Sequence, residues 1–490
     1  MDEKPSGLSE EGERMKVRES DFIRQKKPVF KKLLKRLEEQ YSYVSILAED
    51  SRARVYHVSR KNTGIREDNI LTGRGFVIKV SDGTHYAEYS SNRISEELFE
   101  EICNGVAEAV ALSQYAVPEE IGETVYPVPE EKKADFTGST DYETDPETLG
   151  DDGILSLLTG IRDRGLAASD RLLDCAVMCE YQKYSKLFLS GRKDLEQNVM
   201  WMTGAVSLAA SRGEEIKDYF RSFSGLGGAE VLSQMQENVE ECAAVTLELL
   251  ESEPLPPGEY ECVCTPEVTG MIVHEAFGHG VEMDMFVKKR AMAEQVIGQY
   301  VASELVTMHD GAAAAAETAT CFFDDEGTPA QDTIVIEKGI LKRGICDLQA
   351  AQALHTVPTG NGRRQSYQHK AYTRMTNTFF EGGDSTKEEM IASVSYGFLL
   401  ENPSSGMEDP KNWGIQCMVN IAREIRDGKL TGRIFSPIVL TGYVPDLLKS
   451  ISMVSKETSL EGGGFCGKGY KEFVKVSDGG PYIKARIRLG

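Results

Sequence analysis

The sequence predicts an α+β protein in which a small N-terminal sandwich-like domain and a mixed middle segment precede a β-rich C-terminal domain. Three observations predict it. Apolar residues alternate in short runs before residue 116, the Pro254-Leu255-Pro256-Pro257-Gly258 stretch punctuates the chain, and short strands separated by glycine turns follow to the C-terminus. A chain of 490 residues also exceeds one ordinary core, so more than one domain is expected.

Taken in order, residues 1–27 are polar, charged and poor in aromatics, and read as a flexible tail. An α+β domain is expected over 28–116. Its first helix is predicted around Phe30–Tyr41, with Leu33, Leu34 and Leu37 at helical spacing. Strands are predicted at Tyr43–Leu47, Ala53–Val58, Gly75–Val80 and His85–Tyr89, the last two joined by a Ser81-Asp82-Gly83-Thr84 hairpin. A helix over Ser95–Ser113 closes the unit.

Residues 117–253 read as an acidic linker, to about 152, followed by a central α+β domain. That domain has helical patterns at Ile154–Arg164 and Ala229–Leu250, and strand candidates at 200–202 and 206–208. The C-terminal domain is placed at 254–490, β-rich with one or two helices and turns at Glu337-Lys338-Gly339 and Asp427-Gly428-Lys429.

Composition narrows the function classes. A net charge of −23 argues against phosphate-backbone recognition, so no nucleic-acid partner is expected. No apolar run reaches about 18 residues, and the start has no charged segment leading into an apolar one, so neither a membrane span nor secretion is expected. Ten cysteines without paired CxxC knuckles fit a reducing cytoplasm with buried thiols. Cys175 and Cys179 stand at helical spacing, whereas Cys262 and Cys264 alternate as on a strand.

Thr265-Pro266-Glu267 is a helix start: an N-cap, a proline at the first helical position and an acid at the positive dipole end. Val268, Met271, Ile272, Ala276 and Phe277 give that helix an apolar face, and it carries His274, Glu275 and His279. Two zinc-binding histidines on one regular helix face stand four apart. Here they are five apart, roughly 140° out of register at 100° per residue, so the backbone must widen into a π-type turn or break at Gly278. Two imidazoles bind Zn²⁺ and leave room for a third protein ligand, and Glu275 stands where a general base would be needed. Asp284, Glu282, His309, His355, His369 and Cys466 are candidates for the third ligand, and Asp284 and Glu282 are also candidate outer partners of an imidazole. Cys466 lies among glycines in Gly462–Gly469, where on its own it reads as a loop cysteine.

These segments resemble the TldD/PmbA family, and specifically its metal-binding TldD branch. The resemblance rests on His274–Asp284, Asp324-Asp325-Glu326-Gly327, Pro358–Arg364, Arg374–Thr378 and Ile451–Val454, in the same order over 258–470. It implies one zinc per chain held by His274, His279 and Cys466, with Glu275 as general base in cleavage of short or unfolded peptides. It also implies a homodimer, or a heterodimer with a metal-free TldE/PmbA-type paralogue. Residues 401–416 and those after Gly469 depart from the family pattern.

Arg363, Arg364, Arg374 and Asn377 are candidate substrate-binding residues, since paired guanidinium groups suit a peptide carboxylate. Asp324-Asp325-Glu326-Gly327 does not fit an EF-hand and reads as a loop or strand-end cluster. The competing function is a regulatory or binding subunit with a structural zinc, in which a fourth protein ligand would close the coordination sphere.

Overall fold

The computed structural model describes residues 14–83, 86–115, 128–470 and 472–490. The fold is mixed α+β, as the sequence predicts. In chain order the first half supplies α1 (Asp21–Glu38), β1 (Tyr43–Val58), β2 (Gly73–Ser81), β3 (Tyr86–Ser91), α2 (Phe99–Tyr115), β4 (Ala134–Ser139), α3 (Pro146–Ala167), β5 (Leu172–Ser190), β6 (Lys193–Arg212), β7 (Glu215–Gly225) and α4 (Val231–Glu248). The strands form one sheet in the order β7-β6-β5-β1-β2-β3, antiparallel throughout, with β4 added parallel to β6.

Several boundaries move. Ser20 caps α1 by accepting the Ile23 amide, so the helix begins at Asp21 and takes up residues expected to be tail; Pro28 lies inside it. Residues 134–139 and 146–152, expected to be linker, are β4 and the start of α3. Cys175 and Cys179 lie on the strand β5, not on a helix. The pairs read as separate short strands are the continuous β1 and β6. The sheet draws on both sides of residue 117, because β1 pairs with β5 from Ser45↔Ser190 to Val58↔Val177 without a bulge. The Thr84-His85 end of the predicted hairpin, residues 1–13 and 116–127 lie outside the described residues.

Strand parity decides what each face of this sheet meets. Val44, Ile46 and Ala48 of β1, with Leu187 and Leu189 of β5, pack under α1 and α2. Tyr56, Val58, Cys175 and Val177 share that parity and pack under α3 and α4. The opposite face, with Leu47, Phe188 and Leu195, meets Phe323 of the second half. The acidic cluster predicted as a loop or strand end lies in a turn and secures this junction: Lys186 reaches Asp325 at 2.5 Å and Lys79 reaches Glu326 at 2.7 Å.

The second half supplies β8 (Gly258–Cys264), α5 (Pro266–Val273), β9 (Met308–Asp310), β10 (Asn377–Phe380), β11 (Tyr396–Asp409), β12 (Gly414–Arg426), β13 (Ile438–Tyr443), β14 (Phe465–Lys468), β15 (Glu472–Lys475) and β16 (Ser477–Leu489). Strands β8-β11-β12-β13-β16 pair in that order, and β8 pairs again with β16, which closes a five-stranded barrel. Among the described residues this half carries five short α-helices rather than one or two. The predicted turns at 337–339 and 427–429 each join two antiparallel strands. Helix α5 leaves β8 directly into the core, with Val268 through Val273 all buried. It lies so close to β16 that a Cβ at Gly270 would stand 2.7 Å from the Gly479 nitrogen.

Candidate metal centre

Thr265 is extended and Pro266 opens α5, as the sequence predicts, although the Thr265 hydroxyl makes no capping bond. At the other end the backbone widens into a π-turn over His274–Gly278, in which the His279 amide bonds to the His274 carbonyl five residues back. A tight turn follows at His279–Val281. The wider turn brings together two side chains that a regular helix would splay. The imidazole centroids are 5.1 Å apart, with the rings at 85° to each other.

The third member comes from far along the chain. Cys466 stands on β14, opposite Val474 of β15, and its Sγ lies 3.4 Å from His279 Nε2. One potential ligand atom from each of His274, His279 and Cys466 lies within 4.8 Å of the others. Buried Arg374 holds this hairpin by donating to the Cys466 carbonyl and, at 3.1 Å, to the Glu472 carbonyl. Lys475 holds it from the side, over the rings of Phe465 at 4.2 Å and Trp201 at 4.6 Å.

Each imidazole has a carboxylate behind it. Glu282 Oε2 lies 3.3 Å from His279 Nδ1. Asp478 Oδ2 lies 3.5 Å from His274 Nδ1, an ion-pair contact too long for a well-formed hydrogen bond. Lys468 donates to Glu282 at 3.0 Å, to Asp284 at 2.7 Å and to the Thr373 carbonyl at 2.9 Å, which uses all three ammonium protons. Asp284 therefore reaches the site only through Lys468, and the position behind the His279 imidazole belongs to Glu282.

The electrostatics set Cys466 apart from the other thiols. Burial pushes Cys466 up, but contacts from His274 and His279 overcome it and bring the thiol down to about 5. Burial alone governs Cys264 and leads at Cys242, leaving them at about 12 and about 11. His274 is pushed down by burial and raised further by Asp478 and Cys466, to about 10. Glu282 is pushed up by burial but drawn down to about 2 by Lys468 and His279. A thiol held as thiolate between two imidazoles is the donor set of a soft divalent cation such as zinc, so these residues fit the ion.

Glu275 is half-buried, and burial raises its carboxyl. Strand β11 passes directly over it: a Cβ at Gly406 would stand 2.3 Å from Glu275 Cγ, so only glycine admits the strand here. Two positions along the same face, Glu408 reaches Gly280, and both of its oxygens are buried without a hydrogen-bond partner. Trp413, in the turn after β11, packs on Phe277 at 5.9 Å. Segment 401–416 is thus the cover of the centre.

The remaining sequence candidates lie elsewhere or are committed. Arg364 is buried and forks onto Glu88 at 2.8 and 2.5 Å. Arg374 is the clamp already described. Asn377 donates to the Gly311 and Ala315 carbonyls. Each of the three has partners inside the chain, and each also keeps one buried atom without a partner: Arg364 Nε, Arg374 Nε and Asn377 Oδ1. Arg363 donates to the Met375 carbonyl at 2.7 Å and borders a narrow cleft with Gln182, Tyr184 and Trp201. His309 pairs with Asp332 at 2.7 Å, and His369 contacts Ser366 at 2.8 Å. Asp478, Glu408 and Lys468 were not singled out from sequence. Of these only Lys468 carried a local signal, two residues beyond Cys466 in the same glycine-rich run.

Residues 257–487 match the model of the PmbA/TldA metallopeptidase C-terminal domain. A metalloprotease of Methanothermobacter thermautotrophicus is 31% identical over 332 residues, 65% of this chain and 70% of that protein. A TldD homologue of Buchnera aphidicola is 36% identical over 50% of each chain. A zinc metalloprotease TldD homologue of Saccharolobus solfataricus is 31% identical over 48% of this chain and 52% of its own length. The chain thus spans about half the length of the last two relatives. The solved structure of TldE from Thermococcus kodakarensis superposes with a TM-score of 0.72 at 16% identity, covering 94% of this chain and 99% of that one, which shows a common fold. No helix among the described residues is long and apolar enough to cross a membrane.

Proposed function

Since the chain belongs to the TldD/PmbA family of metallopeptidases, we propose that it is a zinc-dependent peptidase acting on short or unfolded peptides. The observation that carries this reading is the convergence of His274, His279 and Cys466 beside a carboxylate, Glu275, that belongs to none of the three. One zinc per chain would be held by these three residues. Bound there, zinc supplies a Lewis acid that polarises a scissile carbonyl and acidifies water.

The chain's own groups do the rest. Glu275, raised by burial, takes a proton from the attacking water on its carboxylate and returns it to the leaving amine nitrogen. Glu282 accepts from His279 Nδ1 and so directs Nε2 toward the metal position. Asp478 does the same for His274 at longer range. Arg374 and Lys475 keep the thiol in place through the β14–β15 hairpin. The chain works as a homodimer or beside a metal-free TldE/PmbA-type partner, in the cytoplasm.

The test is zinc content of the purified chain together with cleavage of a mixed unfolded-peptide pool before and after chelation. About one zinc per chain with chelator-sensitive cleavage supports the reading. Zinc without cleavage, alone and with a TldE-type partner added, favours the structural-zinc alternative.

A further inference from the structure

Among the described residues, Glu408 is the one carboxylate with both oxygens buried and neither hydrogen-bonded. A Cβ on Gly280 would stand 2.8 Å from Oε1, so the carboxylate lies against the turn that follows His279. It senses the charges of His279, Glu275 and Glu282, which places it on the metal side of β11. The Trp413 indole N–H, within 3.7 Å of the same Gly280 position, is also buried without a partner.

Burial without a compensating cation disfavours the ionised form and holds the Glu408 carboxyl well above its ordinary range, and a cation placed against it would draw it back to the charged form. The chain's own cations beside the centre are taken. Lys468 spends its three protons on Glu282, Asp284 and Thr373. Arg374 is bound to the Cys466 and Glu472 carbonyls. The metal position is no answer either, since the tight group of potential ligand atoms comprises His274, His279 and Cys466 and does not include Glu408. No group among the described residues pairs with Glu408, which leaves its two oxygens to a cationic group that arrives with the substrate.

The geometry points to Glu408 as a specificity residue that pairs with an ammonium group of the bound peptide, either its free N-terminus or a lysine side chain. The inference rests on the peptidase reading for its substrate class. Chemically it follows from an unpaired buried acid two strand positions from Gly406, beneath which Glu275 lies. A cation held there would fix the peptide's register over Glu275.

The experiment measures binding, so that it does not depend on turnover. Zinc-loaded Glu275→Gln protein is titrated with a fluorescent short peptide in four forms: unmodified, acetylated at the N-terminus, acetylated at an internal lysine, and acetylated at both. Blocking the relevant amine is expected to weaken binding at least about tenfold. A second Glu408→Gln substitution is expected to weaken binding of the unmodified peptide to the same extent and abolish the discrimination, with zinc content and melting temperature unchanged. Which single acetylation matters assigns the ammonium. Equal affinity for all four forms overturns the inference, as does discrimination that survives Glu408→Gln. Zinc lost in the Glu408→Gln protein also overturns it, by making Glu408 a metal ligand. Because the binding comparison within the Glu275→Gln protein needs no Glu408 variant, misfolding of that variant leaves the inference open to refutation. Charge-selective binding without any cleavage by the wild-type protein would sink the peptidase reading alone.

Discussion

Two buried polar clusters in the C-terminal half use similar residues to opposite ends. Around Asp310 on β9, every lone-pair direction that counts is filled. Oδ1 accepts from Asn361 at 2.6 Å and from the Thr376 hydroxyl at 3.0 Å, and Oδ2 accepts from the Thr376 amide at 3.1 Å and the Thr378 hydroxyl at 2.5 Å. Asn361 in turn donates to the Arg374 carbonyl and accepts from Thr359. Around His274 and His279 the accounting stays open: His274 Nδ1, Glu282 Oε1, both Glu408 oxygens and the Trp413 indole have no hydrogen-bond partner among the described residues. A satisfied network contributes rigidity, and an unsatisfied one is costly unless a ligand completes it. The contrast separates frame from site, although both clusters draw on segments that carry the family resemblance.

The comparison is sharpened first at Glu275. Glu275→Gln should lower turnover by about 10²–10⁴-fold with zinc content and melting temperature retained. Loss of zinc together with activity would show that Glu275 supports the site rather than moves a proton. Next, Cys466→Ala should bring zinc per chain toward zero by elemental analysis, and full occupancy would sink the two-histidine, one-cysteine assignment.

The frame should behave in the reverse way. Asp310→Ala leaves several buried donors unpaired, so urea unfolding should show a loss of about 3–5 kcal/mol. A loss below about 1 kcal/mol would break the distinction between the two clusters. Glu88, the partner of Arg364, tests the frame through pH. Burial pushes its carboxyl up, but Arg364 prevails and holds it at about 2, below its ordinary 4.5. A depressed acid contributes stability above its unfolded value and loses it as pH falls through the folded one. Roughly 3 kcal/mol should therefore disappear between pH 4.5 and 2, and Glu88→Gln should lack that part of the acid slope. The smallest effect is expected at the junction of the two roles: Glu282→Gln should weaken zinc about 10–100-fold in a chelator competition without removing it.

Legibility followed the range of the interactions. The α5 start, the two histidines and the need for a widened turn lie within fifteen residues, and backbone geometry over that distance is set by local sequence, so they could be read directly. Cys175 and Cys179 could not be read so. A separation of four is one helical turn but also two strand periods, and only pairing with β6 and β1 chose the strand. The helix at Asp21 was masked by Pro28, and the long β1 and β6 were broken into fragments because residues of both parities are buried where the second half covers the sheet.

By itself, then, the sequence determined the α+β class, the helix that carries His274 and His279 and its distortion, and the acidic residue beside the first histidine. The tertiary structure alone decided which carboxylates stand behind the imidazoles, which groups inside the chain Arg364, Arg374 and Asn377 donate to, and that β11 lays Gly406 and Glu408 over the centre. Those choices depend on strands and loops that meet only after the barrel closes and β16 seats against α5, and no spacing along the chain encodes such a contact.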